Sequence, residues 1–349
     1  LVSFFVAEDM MLSFESSLFY FRIGVFSCLI WYLIEQDKKI LDYFYYVLIF
    51  CFLVLVLDGY YQYFTGYNSI GLKVIPMRVS SFFGDELIMG SYLSRLYPLA
   101  FALSLLRSHN RLEKGFITIL FILTSGLIYI SGERTSVFFN LLSLTFIFIL
   151  VKKLKFIRFL ILISFIGIIF IFTFNDSGLK NRMLNSPIET MGINKEVQYI
   201  FTPGHDSLIR TAYQMFLDRP IFGHGPKMFR VICKDEKYAT GVSPCMTHPH
   251  NFYVQLLAET GIVGFLFLFS ALMYVIYCSL RQFKTIIFKE QRYLNDYQVC
   301  LVACLLITVW PLSPNGNFFN NWLVICYSLP VGFYLHSIYG RNKEEILEE

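Results

Sequence analysis

Charge is scarce in this sequence: Asp, Glu, Lys and Arg make up 15% of its 349 residues, against roughly 25% in soluble domains. A water-soluble globular domain of this length is excluded, because its surface would need far more polar cover. Strong net charge is missing too. At +4, with no basic arm and no aromatic–basic platform, the chain offers nothing for a nucleic-acid partner. Repeats and low-complexity segments are absent. So is a basic leader: the chain begins at Leu1, and Glu8, Asp9 and Glu15 stand where a cleavable signal would carry Lys or Arg. That start reads as an N-terminally incomplete product missing some earlier helices.

What the sequence has in excess is apolar: 56% of residues are hydrophobic and 18% aromatic. They recur in runs of about 18 or more, long enough to cross a bilayer. Nine spans are predicted, near 17–34, 43–58, 87–106, 115–131, 136–151, 156–174, 252–280, 297–312 and 320–339. The expected fold class is all-α, a polytopic membrane helical bundle forming one large membrane domain. Basic residues give it a direction. Lys38 and Lys39, then Arg107, Arg111 and Lys114, then Lys152, Lys153, Lys155 and Arg158 fall in every second connection. Arg281, Lys284, Lys289 and Arg292 continue the series, and Arg341 and Lys343 close it. The connections near 131–135 and 313–319 hold only Arg134. The positive-inside rule therefore puts the basic loops in the cytoplasm. Three regions follow: 1–174 with six spans, 175–251 as an outward-facing loop containing short helices, and 252–349 with three spans and a cytoplasmic tail.

The outward loop is too polar for lipid and too long for a passive connector. Leu208, Ile209, Ala212, Met215 and Phe216 recur at helical spacing, which predicts an amphipathic helix from Asp206, as its cap, to Asp218, ended by Pro220. Phe222-Gly223-His224-Gly225-Pro226 predicts a tight turn. Six cysteines (Cys28, Cys51, Cys278, Cys300, Cys304 and Cys326) lie in or beside apolar runs and read as small packing residues. Cys233 and Cys245 lie in the polar loop, where a disulfide and two free thiols both fit.

The segment richest in chemistry is His248-Pro249-His250-Asn251, placed where the loop enters an apolar run. An imidazole there suits proton abstraction from a hydroxyl. Asn251 suits a helix cap, and Gly261 and Gly264 suit close helix packing. An interfacial cap with two incidental histidines fits the same spacing. His248, His250 and Cys245 lack a regularly spaced fourth ligand, so no metal is expected. Arg22 and Arg95 fall inside apolar spans near the outer face, where charge faces a cavity or a partner. His205, His224 and Lys227 are loop residues placed to touch a ligand, and Tyr238, Phe252 and Tyr253 are candidates for stacking on sugar rings.

His250 and Asn251, nine further residues, and then Gly261-Ile262-Val263-Gly264 resemble the signature of the O-antigen ligases and related polymerases. The flanking features agree in order: Ser131 to Thr135 as a Ser-x-x-Arg-Thr element, Arg210 early in a loop helix, and a Gly-x-Gly turn after it. Phe82-Phe83-Gly84-Asp85-Glu86 followed by Gly90-Ser91-Tyr92-Leu93 is similar to the polymerase-like branch. One departure is Glu133, which stands before Arg134 where the family usually has Ser. It either neutralises that arginine or orients it.

The resemblance implies a GT-C-like bacterial inner-membrane enzyme with a periplasmic site and no cofactor. Its donor is a polyprenyl-diphosphate-linked glycan, and its acceptor is a second glycan or lipid A core. Membrane lipids are further partners, and a chain-length regulator protein is another. Carried onto this chain, it makes His250, Arg210 and Arg134 catalytic. Arg95, His248, Asn251, His224 and Lys227 become substrate-binding residues. Fixed guanidinium groups suit the charge of a departing diphosphate. A transporter for the same lipid-linked glycan is the competing class. It calls for midplane charges and repeats, whereas polar groups here gather at one face.

Overall fold

The computed structural model describes residues 2–107, 110–192, 199 and 201–341. Residues 193–198 of the predicted outer loop, and Lys343 of the tail, lie outside the described residues. Six long helices come first: α1 (Met10–Gln36), α2 (Lys39–Thr65), α3 (Met89–Leu105), α4 (Arg111–Ile130), α5 (Arg134–Leu150) and α6 (Lys155–Asn175). The loop region adds α7 (Ser177–Lys180), α8 (Ser186–Thr190), α9 (Pro203–Asp218) and α10 (Phe229–Ile232). The chain closes with α11 (Phe252–Ile287), α12 (Asp296–Thr308) and α13 (Asn321–Tyr339), and no strand occurs among the described residues. Each predicted span falls on one helix of α1–α6 or α11–α13. Five of these, α1, α2, α4, α6 and α11, are long and apolar enough to cross a membrane by length and composition. The chain is thus a multi-pass membrane protein of helical class.

Two compact units form. The first contains Leu1–Ser27, Ser186–Ile276 and Val309–Ser328; the second contains Cys28–Asn185, Tyr277–Thr308 and Leu329–Glu349.

In the second unit α3 is buried along nearly its whole length, packed by α2, α4, α5 and α12. Small residues permit that approach, among them Ser94, Ala100, Ala102 and Ser104. Polar groups inside bond to one another, as apolar surroundings require. The Tyr97 hydroxyl donates to the Phe121 carbonyl at 3.2 Å, Ser125 donates to Tyr97 at 3.4 Å, and the Asn140 amide donates to Ser125 at 3.2 Å. Near the C-terminal end of α2, Gln62 accepts from the Ser80 and Ser81 amides at 3.0 and 2.7 Å, while Asp58 accepts from the Ser69 amide at 2.8 Å. These bonds fix the connection that leads to α3. Where α5 passes into α6, buried Arg158 donates to the carbonyls of Ile147, Phe148, Lys152 and Lys153. A helix end that would otherwise leave bare carbonyls in a low-dielectric region is satisfied in this way. Asp296, opening α12, accepts from the Lys152 and Lys153 amides at 2.9 and 2.7 Å.

In the first unit, Leu208, Ala212 and Met215 of α9 pack with Phe229 and Ile232 of α10, Tyr238 and Ala258. Helix α9 begins at Pro203 rather than Asp206. Thr202 is its cap, accepting from the His205 amide at 3.2 Å, and Pro203 has no amide to leave unsatisfied. Cys233 and Cys245 are joined by a disulfide with Cα atoms 5.0 Å apart.

The first turns of α11 carry a buried polar face, Asn251, Gln255 and Glu259, spaced four residues apart. Asn251 caps the helix, accepting from the Tyr253 and Val254 amides, and donates to the Pro311 carbonyl at 2.8 Å. Gln255 donates to the Asn317 side chain and accepts from the Phe318 amide, both at 2.9 Å. Glu259 accepts from the Phe229 amide at 3.0 Å.

Gly261 then breaks the helix, with φ 65° and ψ −165°, a region open in practice only to glycine. Backbone bonds are exchanged across the break. The Ile262 and Val263 amides donate to the Pro220 and Ile221 carbonyls at 2.8 and 3.4 Å, and the His224 and Gly225 amides donate to the freed Ala258 and Glu259 carbonyls at 3.0 and 2.8 Å. The expectation that Gly261 and Gly264 serve helix–helix packing is corrected here. A Cβ on Gly261 would meet the Ile221 carbonyl at 2.3 Å, and one on Gly264 would meet the Thr260 hydroxyl of its own helix at 1.9 Å.

Gly261→Ala is therefore expected to destabilise the protein by about 2–3 kcal/mol. Gly115→Ala, whose new methyl meets nothing within 4 Å, should be neutral or stabilising by about 0.5–1 kcal/mol. Thermal unfolding of both variants in detergent checks the contrast, and equal effects would refute the assigned role of Gly261.

Candidate active site

His250 stands one residue before the cap of α11 with φ 56°, a left-handed conformation that a non-glycine residue holds only when its surroundings enforce it. The enforcement is visible: the Asn315 amide donates to the His250 carbonyl at 2.8 Å, while Asn251 is held by both α11 and Pro311. The backbone is thus clamped on either side of the imidazole.

Two further imidazoles surround it. The rings of His248 and His250 have centroids 4.1 Å apart, and those of His205 and His250 are 5.2 Å apart, edge to face. His205 projects from the first turn of α9, its Nδ1 against the Thr202 hydroxyl at 2.7 Å. His248 Nδ1 lies 2.9 Å from the Thr247 hydroxyl. Burial, then repulsion from His205, lowers the pKa of His250. Burial, then His250, Arg230 and His205, push His248 down to about 3. Burial lowers His205 too, so all three rings are neutral near pH 7, the state in which an imidazole can accept a proton.

Arg210 and Lys227 belong to the same unit but to separate clefts. Arg210, on α9, is exposed and paired with Asp206 at 2.7 Å. It lines a cleft of about 400 Å³ with Tyr213, Gln214, Thr240 and Val254. Lys227 lines another of about 240 Å³ with Glu15, Tyr20, Arg22 and Phe319. His224 is only 3% exposed, its Nε2 lying 3.0 Å from the Met215 carbonyl. It sits inside the turn as a packing group. Asn251 is 6% exposed and serves as the cap. The aromatic residues expected to stack on sugar are buried instead. Phe252 packs on Phe318 and Tyr327, Tyr253 donates its hydroxyl to the Val309 carbonyl, and Tyr238 donates to Asp218 at 2.7 Å.

The second unit holds a cluster of guanidinium groups. Arg134 Nε donates to the Arg182 carbonyl at 3.0 Å, and Arg182 Nε donates to the Gly132 carbonyl at 2.8 Å. Burial, then repulsion from Arg78 and Arg134, brings Arg182 down to about 10. Arg78 donates to the Leu87 carbonyl at 3.0 Å, and its Nε is buried with no hydrogen-bond partner among the described residues. The carboxylate facing these cations is Glu133. It accepts from the Gly90 and Ser91 amides at 2.6 and 3.0 Å and from the Ser91 hydroxyl at 2.7 Å. Its charge acts on Arg78 and Arg182. Glu133 thus fastens the start of α3 to the start of α5. Gly90 is required for that approach, since a Cβ there would meet Ser131 at 2.3 Å. Arg95, 4% exposed on α3, lies over the Phe139 ring at 4.9 Å.

Sequence reasoning missed Arg78, Arg182 and Arg230, and gave His205 only a peripheral part. Each comes from a connection or from the start of a short helix, where no periodicity signals it. For His205, its position three residues after a Thr cap, in the first turn of a Pro-initiated helix, was the available signal.

Residues 119–269 match a family model described as O-Antigen ligase. No curated protein matches the chain.

The histidine geometry sets a pH signature. Unfolded imidazoles take up protons below about pH 6.5, and the folded rings resist doing so, so stability falls as pH drops below that value. Replacing His205 by Gln removes one repulsive neighbour and should raise the pKa of His250 towards 6.5. Histidine-selective NMR titration reads this directly. An unmoved His250 titration would show that the two rings do not communicate.

Proposed function

We propose that this chain, whose residues 119–269 match the O-Antigen ligase family, is a member of the O-antigen ligase and polymerase superfamily and transfers glycan from a polyprenyl-diphosphate carrier to an acceptor hydroxyl, with His250 as the base. The clamped, neutral imidazole of His250 is the observation that carries this reading. In the proposed step the acceptor oxygen attacks the anomeric carbon and His250 takes its proton. The bond from that carbon to the diphosphate breaks, and the electron pair leaves with the diphosphate.

Charge grows on the departing diphosphate, and preorganised cations stabilise such charge without reorganisation. Arg134 is assigned this task, joined by Arg78 and Arg182, the three cations standing close enough to act on one another. Arg210, lining the cleft beside α9, is assigned to the same donor, as is Arg95. His248 and Lys227 are proposed as contacts to the glycan. The reading includes an inner-membrane location with the site on the periplasmic face, consistent with the basic residues at the α1–α2, α3–α4, α5–α6 and α11–α12 junctions.

For the acceptor we favour a second carrier-linked repeat unit, which makes the enzyme a polymerase. Gly90 and Ser91 of the polymerase-like element are the groups that hold Glu133. The match to an O-Antigen ligase family favours ligation, with lipid A core as the acceptor, as the second reading.

Purified protein with a lipid-linked oligosaccharide donor tests the assignment. His250→Ala should lower the transfer rate by about 10²–10⁴-fold. Arg134→Ala and Arg182→Ala should each cost roughly 10²–10³-fold, and the conservative Lys variants should recover little where bidentate contact matters. Undiminished transfer by His250→Ala at normal protein level removes the imidazole from the chemistry. Offering carrier-linked and lipid A acceptors side by side decides between polymerase and ligase.

A further inference from the structure

At the junction of α3, the α5–α6 connection and the start of α12, the second unit contains a cleft of about 340 Å³ that glycosyl transfer does not use. Leu105, Leu106 and Tyr297 supply apolar walls, while Lys152, Lys153 and Arg292 supply positive charge. The single carboxylate in the lining, Asp296, is already engaged. It pairs with Arg292 at 2.5 Å and accepts both lysine amides. The ammonium groups of Lys152 and Lys153 are exposed and have no ion-pair partner among the described residues. Buried Arg158, immediately beneath, adds a further positive charge, and its donors are all directed to carbonyls. The cleft therefore joins uncompensated positive charge to an apolar wall.

We propose that this cleft is a binding site for one anionic phospholipid, with the headgroup phosphate on Lys152 and Lys153 and an acyl chain against Leu105 and Leu106. Basic pockets between membrane helices at the cytoplasmic end take anionic headgroups for this reason, and these residues lie in loops that the positive-inside rule assigns to that end. A free phosphate would satisfy the lysines but leave the apolar wall in contact with water. An uncharged or zwitterionic lipid would leave the lysines unmatched. The proposal does not depend on the glycosyl-transfer reading.

Native mass spectrometry of the delipidated full chain, titrated with phosphatidylglycerol, tests it. One high-affinity adduct is expected, with phosphatidylcholine binding far more weakly. Lys152→Gln with Lys153→Gln should weaken that adduct about thirtyfold, and Leu106→Trp should weaken it with every charge intact. Lys38→Gln with Lys39→Gln, in a different basic connection, should leave it unchanged. Equal binding of the two lipids, or equal losses for the two lysine pairs, overturns the proposal in favour of a diffuse basic belt. Displacement of the lipid by millimolar inorganic phosphate overturns it in favour of a free-phosphate site. Should Leu106→Trp not yield monodisperse protein, the exposed lysine pair decides alone.

Discussion

The arrangement of the first unit depends on one exchange of backbone hydrogen bonds. At Gly261 the helix gives up its own pairing, and the carbonyls of Ala258 and Glu259 take amides from His224 and Gly225 instead. Buried amides and carbonyls must find partners, so the Gly-x-Gly turn and the helix break are one object contributed by two distant stretches. Asn251, Gln255 and Glu259 extend the same logic along one face, tying down the segments around Pro311, Asn317 and Phe229. His250 adjoins the first rung of that ladder. Its strained backbone is tolerable because three neighbouring segments are already fixed.

The second unit solves a different problem, the placing of charge where water is scarce. Near the start of α5 the Glu133 carboxylate accepts from backbone amides while its charge acts on Arg78 and Arg182. Where α5 ends, Arg158 and Asp296 are taken up by carbonyls and amides and act as staples. The same residue types carry the proposed chemistry in one setting and hold the fold in the other.

This difference explains what could be read from the chain. Helices α1–α6 and α11–α13 were legible because long apolar runs are local signals, and the cap at Asn251 was legible because it is written within four residues. The clamped histidine was found through its spacing to Gly261, although that spacing was first attributed to helix packing. His224 looked available because its loop is polar, yet the turn folds it inward at 3% exposure. Thr202 displaced Asp206 as the cap because Pro203 sets the first helical position. Arg78 and Arg182 gain their significance only from each other, and pairings between connections leave no periodic trace. Glu133 shows the same limit: its chemical type was plain, but its partners at Gly90 and Ser91 lie forty residues away and fixed its role only once folded.

The break at Gly261 also sets a ruler. Taken whole, α11 has 36 residues, a rod of about 54 Å at 1.5 Å per residue, far longer than a hydrocarbon core of roughly 30 Å. Divided at the glycine, it becomes a two-turn stub beginning at Phe252 and a segment from Ile262 to Ile287 that rises about 39 Å, close to bilayer thickness with modest tilt. The glycine thus cuts one over-long rod into a membrane-length helix and a separate short stub that follows the histidine.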